Sequence, residues 1–233
     1  VLILLTILLI VAVSQWRGEA RLADWQRPLQ LTVYPLLVDL SGPEAGDARS
    51  LSAADFAPVG DFLAREARRY GVDSAPTLIQ LAAPAVALPP PVPAGDSRLA
   101  IALWSLRMRW WAWRRAMSDG LPDGDVQIFV QFHPVSAELV LDRSVGIRKG
   151  RYSVVNAFAS PEMQRRNNVV VAHELLHVLG ATDKYDPASR LPLTPHGLGE
   201  PDRRPLFPQR YAEIMAGAVA LAPARARMPA SLD

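Results

Sequence analysis

The order of hydrophobic and polar positions predicts strands and helices in alternation along the chain. Five stretches rich in β-branched and aromatic residues predict strands, at residues 29–39, 76–83, 125–135, 137–142 and 150–159. Apolar residues every three or four positions predict a helix at residues 52–71. Helices are also predicted at residues 97–120, where apolar residues nearly encircle the helix, and at residues 160–180, which begin with Ser160 and Pro161 and end with Gly180. Polar or proline-rich stretches at residues 41–50, 83–96 and 183–211 predict loops. The sequence therefore predicts an α+β domain around a mixed β-sheet.

The first residues are hydrophobic without a periodic polar face. Thr6 is the only polar side chain in residues 1–13. This run is shorter than the roughly 20 residues that cross a bilayer, and we expect it to continue upstream of Val1. Trp16, followed by an arginine, is typical of a membrane interface. We therefore predict a membrane anchor at residues 1–16, with a cleaved signal segment and a buried core segment as alternatives.

This anchor divides the chain into three parts. Residues 17–30 predict a polar connector beside the membrane, and residues 31–233 predict a domain that we expect in the periplasm or outside the cell. The net charge of +2 is too small to indicate a nucleic-acid partner, although the pI is 9.2. The chain has no cysteine, which excludes disulfides, thiolate zinc sites and cysteine nucleophiles.

The helix predicted at residues 97–120 is rich in both tryptophan and arginine. Its tryptophans and arginines are Trp104, Trp110, Trp111, Trp113, Arg98, Arg107, Arg109, Arg114 and Arg115. The pattern favours a core helix whose arginines reach the surface along their aliphatic stems. The alternative is a helix that contacts an anionic membrane surface.

Candidate chemistry is concentrated in one stretch, VVVAHELLHVLGATDKYD at residues 169–186. His173 and His177 are four positions apart, so a helix places both imidazoles on one face, where they can bind a single zinc ion. Glu174 points about 100° away from His173 around the helix. It is therefore a candidate catalytic base rather than a ligand, as in the H-E-x-x-H helix of zinc proteases.

A catalytic zinc site also needs a third protein ligand and an open position for water. Gly180 can adopt a positive φ, end the helix and turn the chain back. Asp183, three residues later, then brings a carboxylate to the same metal. The alternative third ligands are His196, Asp186, Glu200 and Glu213.

The stretch HELLHVLGATD at residues 173–183 resembles the metzincin signature H-E-x-x-H-x-x-G-x-x-H, with aspartate in place of the last histidine. Met215, in YAEIMAG, resembles the methionine of the turn that lies beneath the metal in that family. The resemblance covers about 55 residues, from the helix to this turn. It implies a metzincin-type zinc metalloprotease with a zincin-like fold: a twisted mixed sheet, an active-site helix and an irregular C-terminal subdomain.

The leading hypothesis is a membrane-tethered zinc endopeptidase. Zn²⁺ is held by His173, His177 and Asp183, and Glu174 is the general base. The peptide substrate is expected to bind in extended form beside an edge strand. Residues 150–159 are the candidate edge, and an interior strand is the alternative there. The competing functions are a non-hydrolytic zinc-stabilised binding protein, a gluzincin-type peptidase that uses Glu213, and a basic peripheral membrane protein.

Overall fold

A five-stranded sheet organises the chain in this computed structural model. The structure describes residues 2–38, 40, 42–86, 97–118, 120–121, 124–135 and 144–232. The strand predicted at residues 137–142 lies outside these described residues.

Helices and strands alternate irregularly along the described residues. They are α1 (Leu2–Ala23), β1 (Leu29–Leu37), α2 (Gly42–Ser50), α3 (Ala57–Arg69), β2 (Thr77–Leu81), α4 (Arg98–Ser118), β3 (Val126–His133), β4 (Val145–Ile147), β5 (Tyr152–Phe158), α5 (Gln164–Leu179), β6 (Val219–Ala222) and β7 (Arg225–Arg227). Short 3₁₀ turns lie at Ala53–Phe56, Arg148–Gly150, Pro161–Met163 and Ile214–Ala216.

The central sheet is mixed, as predicted. Its strand order is β2-β1-β3-β5-β4. The first four of these strands are parallel, and β4 pairs antiparallel with β5. The prediction of residues 150–159 as an edge strand is therefore wrong, because β5 lies between β3 and β4. The edge is β4, whose three residues are too few to give a periodic signal in the sequence.

Both faces of the sheet are covered by helices. Residues alternate along β3, so that Ile128 and Val130 pack towards α3 and α5, whereas Phe129 packs towards α4. All three side chains are fully buried. This burial on both faces explains why the parallel strands are nearly continuous hydrophobic runs in the sequence.

Local sequence signals determine where α5, the helix that carries His173 and His177, begins. α5 follows the 3₁₀ turn Pro161–Met163, where proline suits the first helical turn. Asn167 then fixes the start of α5 to the end of β5, because its amide nitrogen donates to the Phe158 carbonyl over 2.9 Å. The helix predicted at residues 160–180 is confirmed.

The loop predicted at residues 41–50 is wrong, because Gly42–Ser50 form α2. The glycines and the proline of this stretch favour a loop, but Ala45 and Ala48 are buried. Ala48 belongs to the same hydrophobic cluster as the β1 side chain Leu31. Tertiary burial therefore overrides a weak local propensity here.

The first helix is longer than the predicted anchor. α1 continues beyond Trp16 to Ala23, and so includes part of the predicted connector. Arg21 forms a largely buried ion pair with Asp125, with nitrogen and oxygen 2.7 Å apart. Within the described part of the chain, no helix has both the length and the apolar character that a bilayer crossing requires.

Phe129 gives a direct test of the packing between the sheet and α4. Its ring stacks on Tyr34 with centroids 4.9 Å apart and meets Trp111 edge-on at 4.8 Å. We expect Phe129→Ala to lower the free energy of unfolding by about 3–5 kcal/mol, because it leaves a cavity between these rings. Chemical denaturation measures the loss. Tyr70→Ala, at a side chain that is 77% exposed, is the control and should change stability by less than about 0.5 kcal/mol.

Candidate metal centre

α5 places the two histidines of the H-E-x-x-H motif side by side. The Nε2 atoms of His173 and His177 lie 3.2 Å apart. The helix ends at Gly180, whose φ of 108° is left-handed. The next amide, of Ala181, donates to the Leu176 carbonyl over 2.8 Å, a bond typical of a helix closed by glycine. The predicted turn after the helix is confirmed.

The turn brings the carboxylate of Asp183 to both imidazoles. Asp183 Oδ1 lies 3.3 Å from His173 Nε2 and 3.1 Å from His177 Nε2. With the 3.2 Å between the two nitrogens, these atoms form a nearly equilateral triangle. A tetrahedral zinc ion with bonds of about 2.0–2.1 Å holds neighbouring ligand atoms about 3.3 Å apart. The three side chains therefore have the spacing of three ligands of one such ion.

The hydrogen bonds at the Nδ1 atoms of His173 and His177 determine whether each Nε2 atom carries a proton or a lone pair. His173 Nδ1 lies 2.8 Å from the Ile214 carbonyl oxygen, and His177 Nδ1 lies 3.0 Å from that of Ala181. A carbonyl oxygen only accepts, so each Nδ1 carries the proton. In the neutral imidazoles, both Nε2 atoms then present lone pairs. Two nitrogen lone pairs and a carboxylate oxygen thus converge, which is an arrangement that a cation stabilises.

The protonation state of His173 fits this arrangement. Burial lowers the pKa of His173, and this effect outweighs the hydrogen bond to Ile214, which acts in the opposite direction. The nearby His177 also lowers the pKa of His173, whereas Asp183 and Glu213 raise it. The neutral ring, which is the form that can donate a lone pair to a metal, is therefore favoured at neutral pH.

The turn around Met215 joins the parts of the site. Its Ile214 carbonyl orients His173, as described above, and the Met215 carbonyl accepts a hydrogen bond of 3.0 Å from the Lys184 amide. Lys184 Nζ also pairs with Glu213 Oε1 at 3.1 Å. The residue next to Asp183 is thus fixed to the same turn that fixes His173. Met215 itself is buried.

None of the alternative third ligands belongs to the group that His173, His177 and Asp183 form among the described residues. In the described residues, His173, His177 and Asp183 are the only group of three or more potential ligands close enough to share a metal ion. His196 is exposed on the surface. Asp186 accepts hydrogen bonds from Ser189, and Glu200 accepts one from the Arg210 amide. The structure therefore favours Asp183 among the candidates.

Glu174 lies beside a cavity of about 270 Å³ that also borders His173. Only 5% of the Glu174 residue is exposed. The rest of the lining combines apolar residues, two residues with hydroxyl groups and one cation: Val169, Val170, Ala216, Gly217, Ala218, Met228, Ser144, Tyr185 and Arg190. The Arg190 guanidinium lies 5.4 Å from the centre of the Tyr185 ring, a cation–π distance. The cavity thus offers space for a side chain next to the metal ligands.

The edge strand β4 passes directly against α5. A Cβ atom at Gly146 would lie 2.3 Å from the Glu174 carbonyl oxygen and 2.7 Å from His177 Cβ. No larger residue fits there without moving the backbone. Among the described strands, β4 is the last of the sheet on this side, so the edge of the sheet and the candidate metal ligands are neighbours.

Several of these functional groups were missed by sequence reasoning. The Ile214 and Ala181 carbonyls belong to the backbone and leave no side-chain signal. Gly146 and Arg190 have ordinary residue types for loops. Gly146 and the Ile214 carbonyl reach the site through the long-range packing of β4 and of the turn at Ile214–Ala216 against α5.

Metal analysis tests the ligand set. We expect the wild-type protein to bind one zinc ion per chain, and Asp183→Ala or His177→Ala to weaken zinc binding by more than about 100-fold, beyond the effect of outer-shell partners. His196→Ala is the matched control and should retain wild-type affinity. Calorimetric titration measures all four proteins. An unchanged affinity in Asp183→Ala would transfer the third position to another residue.

Comparisons with family models, curated proteins and solved structures gave no match to this chain. The resemblance to metzincins therefore rests on residues 173–183 and Met215, and on the geometry that those residues adopt. The protein is an α+β protein with a mixed sheet and a His/His/Asp group that could hold a metal ion.

Proposed function

We propose that this protein is a zinc-dependent endopeptidase. The observation that carries the proposal is the triangle of two imidazole nitrogens and one carboxylate oxygen, with sides of 3.1–3.3 Å, next to the buried Glu174. Three protein ligands leave the fourth position of a tetrahedral ion open. A zinc ion held there supplies Lewis-acid chemistry, since it lowers the pKa of a coordinated water and polarises a carbonyl oxygen.

Glu174 is the group that moves protons in this proposal. Its side chain borders the cavity that also reaches His173. The carboxylate accepts a proton from the attacking water and then delivers it to the leaving amine of the substrate. A site that binds zinc only for stability has no need of a carboxylate in this place, so Glu174 favours hydrolysis over the non-hydrolytic alternative.

The edge strand β4 binds the substrate backbone in this proposal, and the cavity binds one of the substrate side chains. An extended peptide pairs through its backbone with the side of β4 that no described strand occupies, and Val145 on this strand is exposed. One of its side chains enters the cavity lined by Val169, Val170 and Met228. Because Gly146 lies against α5, a peptide on this edge runs beside the metal ligands. The membrane tether and the periplasmic or extracellular location stay predictions.

Replacing Glu174 by glutamine separates binding of the metal from turnover. Glu174→Gln keeps His173, His177 and Asp183, so we expect zinc affinity to stay within about threefold of wild type. We expect kcat/KM on a cleaved peptide to fall by about 100- to 10,000-fold, the usual contribution of a general base. Digestion of a peptide library with purified protein identifies the substrate and then measures the rate.

Asp61→Asn is the control for this experiment, because it makes the same carboxylate-to-amide change on the exposed side of α3. It should leave activity unchanged. Retained activity in Glu174→Gln would reject the assignment of the base. Zinc binding without any cleavage by wild type would instead support the non-hydrolytic binding protein.

Arg190 gives the cavity a positive charge and predicts a preference for substrates. A peptide whose cavity-bound side chain is acidic gains a charged partner there. We expect Arg190→Glu to lower kcat/KM for such peptides by at least about tenfold and to raise it for the matching lysine peptides. Parallel assays of an acidic and a basic peptide measure the ratio. A ratio that does not change would show that Arg190 has no part in specificity.

A further inference from the structure

The outer face of α4 carries an uninterrupted stripe of exposed apolar side chains. Its six members recur at alternating intervals of four and three residues: Leu99, Leu103, Leu106, Trp110, Trp113 and Met117. Each is between 53% and 70% exposed. Intervals of four and three place successive residues on one line along a helix. A contiguous apolar patch of this length marks an interaction surface rather than scattered surface residues.

The inner face of the same helix is already occupied. Met108, Ala112 and Ala116 are buried against the sheet side chains Tyr34 and Phe129. The prediction of a core helix is thus confirmed for one face of α4, whereas the side chains on the opposite face are exposed, and no described element packs over them. The stripe therefore needs an explanation outside the core.

Positive charge borders the stripe. Arg107 and Arg114 are exposed on one flank, and the Arg114 guanidinium lies 4.8 Å from the centre of the Trp110 ring. On the other flank, Arg109 donates to the Lys149 carbonyl over 3.2 Å. This contact places the exposed Lys149 beside α4. The helix itself contains no aspartate or glutamate, so the whole face is complementary to an anionic partner.

We propose that this face of α4 binds the surface of an anionic lipid membrane, with the helix lying in the plane of the interface. The leucines and tryptophans enter the boundary between headgroups and acyl chains, and the flanking arginines contact lipid phosphates. Tryptophan suits this depth, because its ring is apolar and its N–H can still reach a polar partner.

The positive charge of α4 favours a membrane over a second copy of the chain as the partner of the stripe. Two α4 helices packed stripe to stripe would bring the arginines of one helix against those of the other, with no carboxylate on either helix to pair with them. This inference does not depend on zinc or on peptidase activity.

Cosedimentation of the full chain with lipid vesicles tests the proposal. We expect binding to vesicles of phosphatidylcholine mixed with phosphatidylglycerol, and weaker binding to phosphatidylcholine alone. The double substitution Trp110→Ser/Trp113→Ser should lower the partition coefficient for the mixed vesicles by at least about tenfold. Arg107→Glu/Arg114→Glu should remove most of the preference for anionic vesicles.

The controls keep the N-terminal helix intact, because α1 also exposes apolar side chains such as Leu5 and Trp16. Tyr70→Ser, at another exposed aromatic residue, should bind vesicles like wild type. Circular dichroism verifies that each variant is folded. The proposal is overturned if Trp110→Ser/Trp113→Ser and Arg107→Glu/Arg114→Glu both partition onto the mixed vesicles as strongly as wild type. It is equally overturned if sedimentation equilibrium finds a dimer that Trp110→Ser/Trp113→Ser dissociates.

Discussion

Two hydrogen bonds to backbone carbonyls determine the chemistry of the whole site. The Ile214 and Ala181 carbonyls hold the protons of His173 and His177 on Nδ1, and so leave the Nε2 lone pairs directed at each other and at Asp183. Without a cation, three electron-rich atoms at about 3.2 Å repel one another. The fold keeps them together because each is anchored elsewhere: the histidines on α5, and Asp183 on a chain that turns at Gly180 and is then fixed by Lys184 to the turn around Met215.

The sheet separates the two functional faces of the molecule. α5, which carries the candidate ligands His173 and His177, packs on one face, whereas α4 packs on the other. Alternating residues of β3 serve both layers. If α4 lies on a membrane, α5 is therefore on the side of the protein that faces water. Substrates would then reach Glu174 from the aqueous phase rather than from the bilayer.

The sequence predicts most reliably those features that depend on local periodicity. The spacing of His173 and His177, the helix end at Gly180 and the approach of Asp183 all follow from one helix and one turn, and the structure has them together. β1, β3 and β5 are likewise visible as hydrophobic runs, because most of their residues are buried between the two helical layers. β2, which is only partly buried, is visible from its β-branched and aliphatic residues.

Features that depend on distant contacts could not be predicted in the same way. α2 forms because Ala45 and Ala48 become buried, although its composition favours a loop. β4 is an edge strand of only three residues, so it gave no pattern, and β5 was mistaken for the edge. The stripe on α4 was hidden for a different reason. Hydrophobic residues surround this helix in the sequence, and only the packed structure separates those that face the sheet from those left exposed.

The anchoring of His173 on the Ile214 carbonyl has a consequence for biosynthesis. These residues are separated by 41 positions along the chain, so a ribosome-bound segment that ends soon after α5 contains both histidines and Asp183 but lacks the carbonyl that sets the tautomer of His173. If the proposed site holds a metal ion, strong capture awaits the emergence and docking of the turn around Met215. Loading of the ion would then depend on completion of the fold, and a partly synthesised chain would hold metal only loosely.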